Sequence, residues 1–168
     1  MQTTIDNGQA SSAVTQAKAE FIRAKERLVH GLATTPDDKV NWSPAPTART
    51  PVQLVAHAAL SIAGMQGWFA GTPFRWASMA EADAEWRQEE KAFTSPQQAL
   101  DLLEKNSAAY LAWLDSLTPE LLASTLHTAM GDFPLAYAIT FTADHLRGHA
   151  AQLDYLQTVW GDLDWHMG

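Results

Sequence analysis

Two histidines stand four residues apart in the stretch "DHLRGHAAQLDYL", residues 144–156. In a helix that interval sets His145 and His149 one turn apart on one side, within reach of a single cation. Neutral imidazole is a ligand for zinc or nickel, whereas magnesium and calcium prefer oxygen donors. The spacing alone leaves two readings open: two ligands of a metal site, or two interior imidazoles hydrogen-bonded to neighbours or to trapped water.

A helical wheel at about 100° per residue puts His149, Gln152, Leu153, Leu156 and Trp160 on the His145 side, with Ala138 continuing the same line. Arg147, Asp154 and Thr158 take the opposite side, and Asp144 flanks them. The helix already has a solvent face, so the histidines share the stripe that must turn inward. An interior polar group without a partner costs on the order of 1–3 kcal/mol. With Thr142 and Gln152 the pair therefore forms a buried polar strip that something must satisfy.

A third donor is available in His57, two turns into an almost wholly apolar segment, "TPVQLVAHAALSIAGMQGWFAGTP". It aligns with Ser61, Gly64 and Trp68 at the edge of the apolar face, a position compatible with a ligand or with a satisfied core histidine. His30 at a helix end, His127 in a loop and His166 near the C-terminal end are expected on the surface. No acidic residue is expected to point inward beside the three histidines. Asp144, the nearest by number, is turned away.

The elements that would carry these residues are helical. An apolar set from Val14 to Leu32 repeats at helical spacing and predicts a first helix over about 11–32, with residues 1–10 frayed. Thr50, Pro51 and Gln53 form a capping box with proline at the first helical position, opening a second helix that runs to about Ala70. Ser95 and Pro96 open a third, to about Leu117. A fourth is expected from Phe133 to Trp160, and no strand is expected. The connection over residues 71–95 has room for a short helix in "EADAEWRQEEK". It is also long enough for an overhand crossover, which predicts that helices two and three run parallel. The fold class expected is all-α, a four-helix bundle in one domain over residues 1–168.

Composition narrows the function. A net charge of −8 with only 11 lysines and arginines argues against a nucleic-acid surface. The absence of cysteine excludes disulfides and thiolate ligands. The start, "MQTTIDNGQASSAV", lacks the basic and apolar regions of a signal peptide, and no stretch reaches the roughly 20 apolar residues of a membrane span. A cytoplasmic, soluble protein acting on a small molecule, or on another protein, is the expectation, with no nucleic acid or membrane as partner.

Three stretches together resemble the DinB-like family, which is related to the mycothiol- and bacillithiol-dependent transferases. They are "NWSPAPTARTPVQLVAHAA", the acidic crossover, and "DHLRGHAAQLDYLQTVWG". The resemblance implies a divalent metal, commonly nickel or zinc, held by His57, His145 and His149. It also implies parallel second and third helices and frequent homodimers. Three imidazoles leave a coordination position open, as catalytic sites do. The activities implied are thiol S-transfer, with a low-molecular-weight thiol as partner, or hydrolysis of a small molecule. A non-catalytic metal- or ligand-binding protein and a helical dimerisation module are the alternatives. One departure is visible: the family's second histidine is followed by Arg-Gly-Gln, here by Ala150, Ala151 and Gln152. The anion-holding role of that arginine is not carried over, since Arg147 lies on the outward face.

Overall fold

The structure is a computed structural model that describes residues 5–128 and 131–166. Its long helices are α1 (Asn7–Ala33), α2 (Pro51–Phe69), α3 (Met79–Glu90) and α4 (Pro96–Asp115). A short α5 (Pro119–Leu122) follows, then the strands β1 (Thr125–Thr128) and β2 (Gly131–Pro134), a short α6 (Leu135–Ala138), and α7 (Phe141–Val159). The expected four-helix bundle is present as α1, α2, α4 and α7, and the short helix expected in the crossover is α3.

Local chemistry sets the helix starts. The Thr50 hydroxyl accepts from the Gln53 amide while the Gln53 side chain accepts from the Thr50 amide, and Ser95 with Gln98 repeats the arrangement for α4. Asp6 and Gln9 do the same for α1, so it begins at Asn7, inside the stretch expected to fray. At the other end of α2 the chain turns off through Gly71, whose φ of 94° a side chain would resist. Thr72 and Gly71 donate to the carbonyls of Gly67 and Trp68, closing the last turn.

Two expectations need correction. Residues 125–128 and 131–134 pair as antiparallel strands, with Leu126 opposite Phe133 and His127 opposite Asp132, so strands are present and His127 sits on one. The last helix does not start at Phe133. Pro134 is extended at φ −56°, ψ 134°, and α6 and a turn at Thr140 precede α7. The apolar spacing of Phe133, Leu135 and Phe141 imitates one continuous helix.

Side-chain pairs give the helix directions. Asn106 donates to the Ala59 carbonyl at 2.8 Å in mid-helix, and the rings of Phe69 and Trp113 meet at 6.2 Å at both C-terminal ends, so α2 and α4 run parallel. Glu20 meets Arg147 at 3.1 Å, Arg27 meets Asp154 at 2.5 Å, and the Gln157 amide donates to the Gly31 carbonyl at 3.3 Å, so α1 and α7 also run parallel. Lys18 with Asp115 and Lys25 with Glu104 make α1 antiparallel to α4. The rings of Phe69 and Phe141 are 6.4 Å apart, joining the end of α2 to the start of α7. The order is up, down, down, up, with residues 71–95 as the overhand crossover.

Phe21, Leu28, Ile62, Leu103, Tyr110, Leu114, Leu146 and Leu153 fill the centre at under 2 % exposure, a continuous core that excludes water from the helix seams. The approach of α1 to α7 is close at Gly31, where an added Cβ would lie 2.9 Å from Leu153 Cδ2. Ala56 and Ala59 of α2 are fully buried within the chain. Among the described residues no helix is long and apolar enough to cross a membrane.

Candidate metal centre

His57 on α2 and His145 and His149 on α7 come together in the bundle. One ring nitrogen from each lies within 4.8 Å of the other two. Ring centroids are 4.4 Å apart for the α7 pair, 5.3 Å from His57 to His145, and 4.7 Å from His57 to His149. His57 and His149 are buried and His145 is half-buried. The capped start of α2 sets the phase that aims His57 across the seam, and the antiparallel α7 presents its pair one turn apart.

The rings are held by partners behind them. Gln152 Oε1 accepts from His149 Nδ1 at 2.8 Å, which leaves His149 Nε2 with its lone pair. His145 Nε2 lies 3.0 Å from that atom. Two lone pairs at this separation repel, so the contact requires either a proton on His145 Nε2 or a cation between the rings. Burial, followed by the neighbouring imidazoles and Arg49, lowers His145 to about 3. Burial and His57 lower His149 to about 4, against the opposing hydrogen bond of Gln152. Both rings are neutral near pH 7, the form that binds metal. The three residues fit a divalent ion on these grounds.

Behind His57 stands a group that sequence reasoning missed. Glu90, the last residue of α3, is 1 % exposed, and its Oε1 lies 2.6 Å from His57 Nδ1. Arg49 grips the same carboxylate, Nε to Oε2 at 2.7 Å and Nη2 to Oε1 at 3.0 Å. Burial opposes the charge of Glu90, but the hydrogen bonds from His57 and Arg49 outweigh it and lower its pKa. Arg49 also reaches Asp83 at 2.8 Å, and Asp83 pairs with Arg87 at 2.6 Å, so the cluster alternates in sign. A guanidinium thus stands near the centre after all, supplied by the loop before α2 rather than by α7. The signal for Glu90 lay in the spacing of Ala82, Trp86 and Glu90, four apart along one face of α3.

The remaining histidines stay apart. His127 is exposed and meets Asp132 at 2.9 Å. His166 is half-buried against Asp162 at 2.8 Å, with its ring 6.5 Å from that of His30, so these two are less exposed than expected. Asp144 is exposed and pairs with Arg147, as the wheel requires. The tryptophan nearest the histidines is Trp86, 5.9 Å from the His57 ring, and Trp76 touches it at 5.3 Å. Trp42 and Trp68 pack elsewhere, against Trp160 and Phe69. A cavity of about 490 Å³ opens beside the centre, lined by Arg49, Leu54, Arg87, Gly148, Gln152 and Tyr155 among others. It reaches the partners of the rings and not the rings themselves.

The sequence profile of the DinB superfamily matches residues 20–153, four-fifths of the chain and the whole of the histidine cluster. The chain belongs to the DinB superfamily. Solved structures agree on the fold. YfiT from Bacillus subtilis, described as a probable metal-dependent hydrolase with an unusual four-helix bundle topology, aligns with a TM-score of 0.70 at 17 % identity, covering 96 % of this chain and 93 % of that one. A sibling lethal factor precursor, DfsB, gives 0.67 at 16 % identity over 88 % and 96 %. A conserved protein from Enterococcus faecalis gives 0.66 at 19 % identity over the same shares. No curated protein matches significantly. At these identities the likenesses establish the fold of this DinB-superfamily chain, and its chemistry is argued from its own residues.

Proposed function

We propose that this chain is a metal-dependent enzyme acting on a small molecule, with zinc or nickel held by His57, His145 and His149. The observation that carries the reading is the convergence of three imidazoles from two helices, two of them kept neutral by burial, with ring nitrogens 3.0 Å apart on α7. A divalent ion bound there supplies Lewis acidity. The chain's own residues do the rest. Gln152 orients His149, Glu90 stands behind His57, and Trp86 meets the His57 ring edge to face. The neighbouring cavity has the volume of a small-molecule site, and its walls mix Arg87 and Gln152 with Leu54, Leu156 and Tyr155.

Hydrolysis is the reaction class we favour, because the DinB-fold neighbour YfiT is described as a probable metal-dependent hydrolase. Pairing into homodimers and residence in the cytoplasm belong to the same proposal. Metal analysis of purified protein, after incubation with zinc or nickel and desalting, is expected to find about one ion per chain. The triple variant His57→Ala, His145→Ala, His149→Ala is expected to hold none. Loaded protein is then assayed on activated esters and amides, and on an electrophile with a low-molecular-weight thiol. Turnover only in the thiol assay replaces hydrolase by transferase. Metal without turnover in either removes the enzyme reading and leaves a binding protein, and wild-type protein that retains neither ion ends the proposal.

A further inference from the structure

Among the residues of α3 only Ala82 and Glu90 are fully buried, and around them the half-buried Trp86 meets the His57 ring while Asp83 and Arg87 bond Arg49 and the Thr47 carbonyl. A buried carboxylate is retained only where its charge and lone pairs are matched. Here both oxygens are matched, one by His57 Nδ1 and the pair by Arg49. An acceptor on Nδ1 decides which nitrogen carries the ring hydrogen. That places the proton on Nδ1 and leaves Nε2, 3.5 Å from the Ser61 hydroxyl, as the acceptor atom of the ring.

We propose that Glu90 is a positioning residue: it fixes His57 in the Nδ1–H tautomer with Nε2 toward the cluster, and thereby couples docking of the crossover helix α3 to occupancy of the metal centre. The ligand role of His57 rests on the metal-centre reading, whereas the tautomer and the docking do not. By linkage, an ion that withdraws electrons from Nε2 makes Nδ1–H a stronger donor to Glu90, so loading tightens α3 and a docked α3 raises affinity by the same factor. Arg49 keeps the carboxylate charged and holds it in line with the ring.

Three measurements on the full chain test this. Nitrogen-15 NMR of the imidazoles in metal-free protein is expected to show His57 protonated at Nδ1, with that preference lost in Glu90→Ala and kept in Glu90→Gln, which preserves an acceptor. Hydrogen exchange over residues 79–90 is expected to quicken in Glu90→Ala while α1 is unchanged. Zinc affinity, by competition with a chromophoric chelator, is expected to fall about 10- to 100-fold in Glu90→Ala and less in Glu90→Gln. The exposed neighbour in Glu89→Ala is the charge-matched control and should match wild type in all three. A wild-type His57 protonated at Nε2, or a folded Glu90→Ala with wild-type tautomer and zinc affinity, overturns the proposal. So does a Glu90→Gln variant that does not fold, since that makes Glu90 a global anchor. Wild-type protein that binds neither zinc nor nickel sinks the metal-centre reading instead, and the tautomer and exchange measurements then decide the role of Glu90 alone.

Discussion

Histidines buried without charge make the metal-free protein sensitive to acid. His149 is lowered to about 4 and His145 to about 3, against an ordinary 6.5. Between pH 6.5 and about 4 the unfolded chain therefore takes up protons that the folded chain refuses. Stability is complete above that window and falls as pH drops through it, by about 1.4 kcal/mol per pH unit for each ring protonated only when unfolded. Denaturant melts of metal-free protein across this range should show the fall, and His145→Leu with His149→Leu should flatten it. An identical slope in that double variant would mean other groups are responsible. At this scale the inward turn of His145 and His149 was legible from period and apolar context, whereas for His57 the wheel left two readings open and the family resemblance joined it to the pair. Glu90 was not legible, because a carboxylate amid "EWRQEE" is indistinguishable by composition from its exposed neighbours Glu85 and Glu89. Its partners come from the loop before α2 and from α2 itself, 41 and 33 residues earlier in the chain.

Elements with strong local start signals were the ones the sequence defined. Thr50–Pro51–Gln53 and Ser95–Pro96 each combine a cap with a proline, and both helices begin there in the structure. The strand pair and α6 escaped because strands of four residues carry too little alternation to compete with an apolar spacing that also suits a helix. One contact between elements makes a sharp prediction. In Gly31→Ala the new methyl group would stand 2.9 Å from Leu153 Cδ2 on the α1–α7 seam, so the fully buried Leu153 must shift into its packed neighbours to admit it. Overpacking of this kind costs about 1–3 kcal/mol, outweighing the gain in helix propensity of about 1 kcal/mol. The expected result is a lower denaturation midpoint at unchanged slope, and a midpoint at or above wild type would mean that Leu153 yields without cost.

For the molecule as a whole, the length of the 71–95 connection was enough to anticipate the parallel α2 and α4, because only an overhand path uses that much chain. The close pairing of α1 with α7 was not anticipated, since nothing local records which distant helix a stripe will meet. The metal proposal has its consequence for global stability at this scale. An ion that binds only the folded state at about a hundred times its dissociation constant adds about 2.7 kcal/mol, roughly 5–10 °C in melting temperature for a chain of this size. Adding chelator to zinc-loaded protein should remove that increment, and the triple histidine variant should show none. Equal melting with and without chelator would count against a resident ion. The up, down, down, up path also has a bearing on biosynthesis. Two of the three imidazoles and the whole companion of α1 lie on the last long helix. A nascent chain leaves the ribosome with the Phe21 and Leu28 side of α1 still uncovered on its α7 flank, and with a solitary ring on α2. Closure of the interior therefore waits for α7, and the same late arrival brings the second and third imidazoles to the ring on α2.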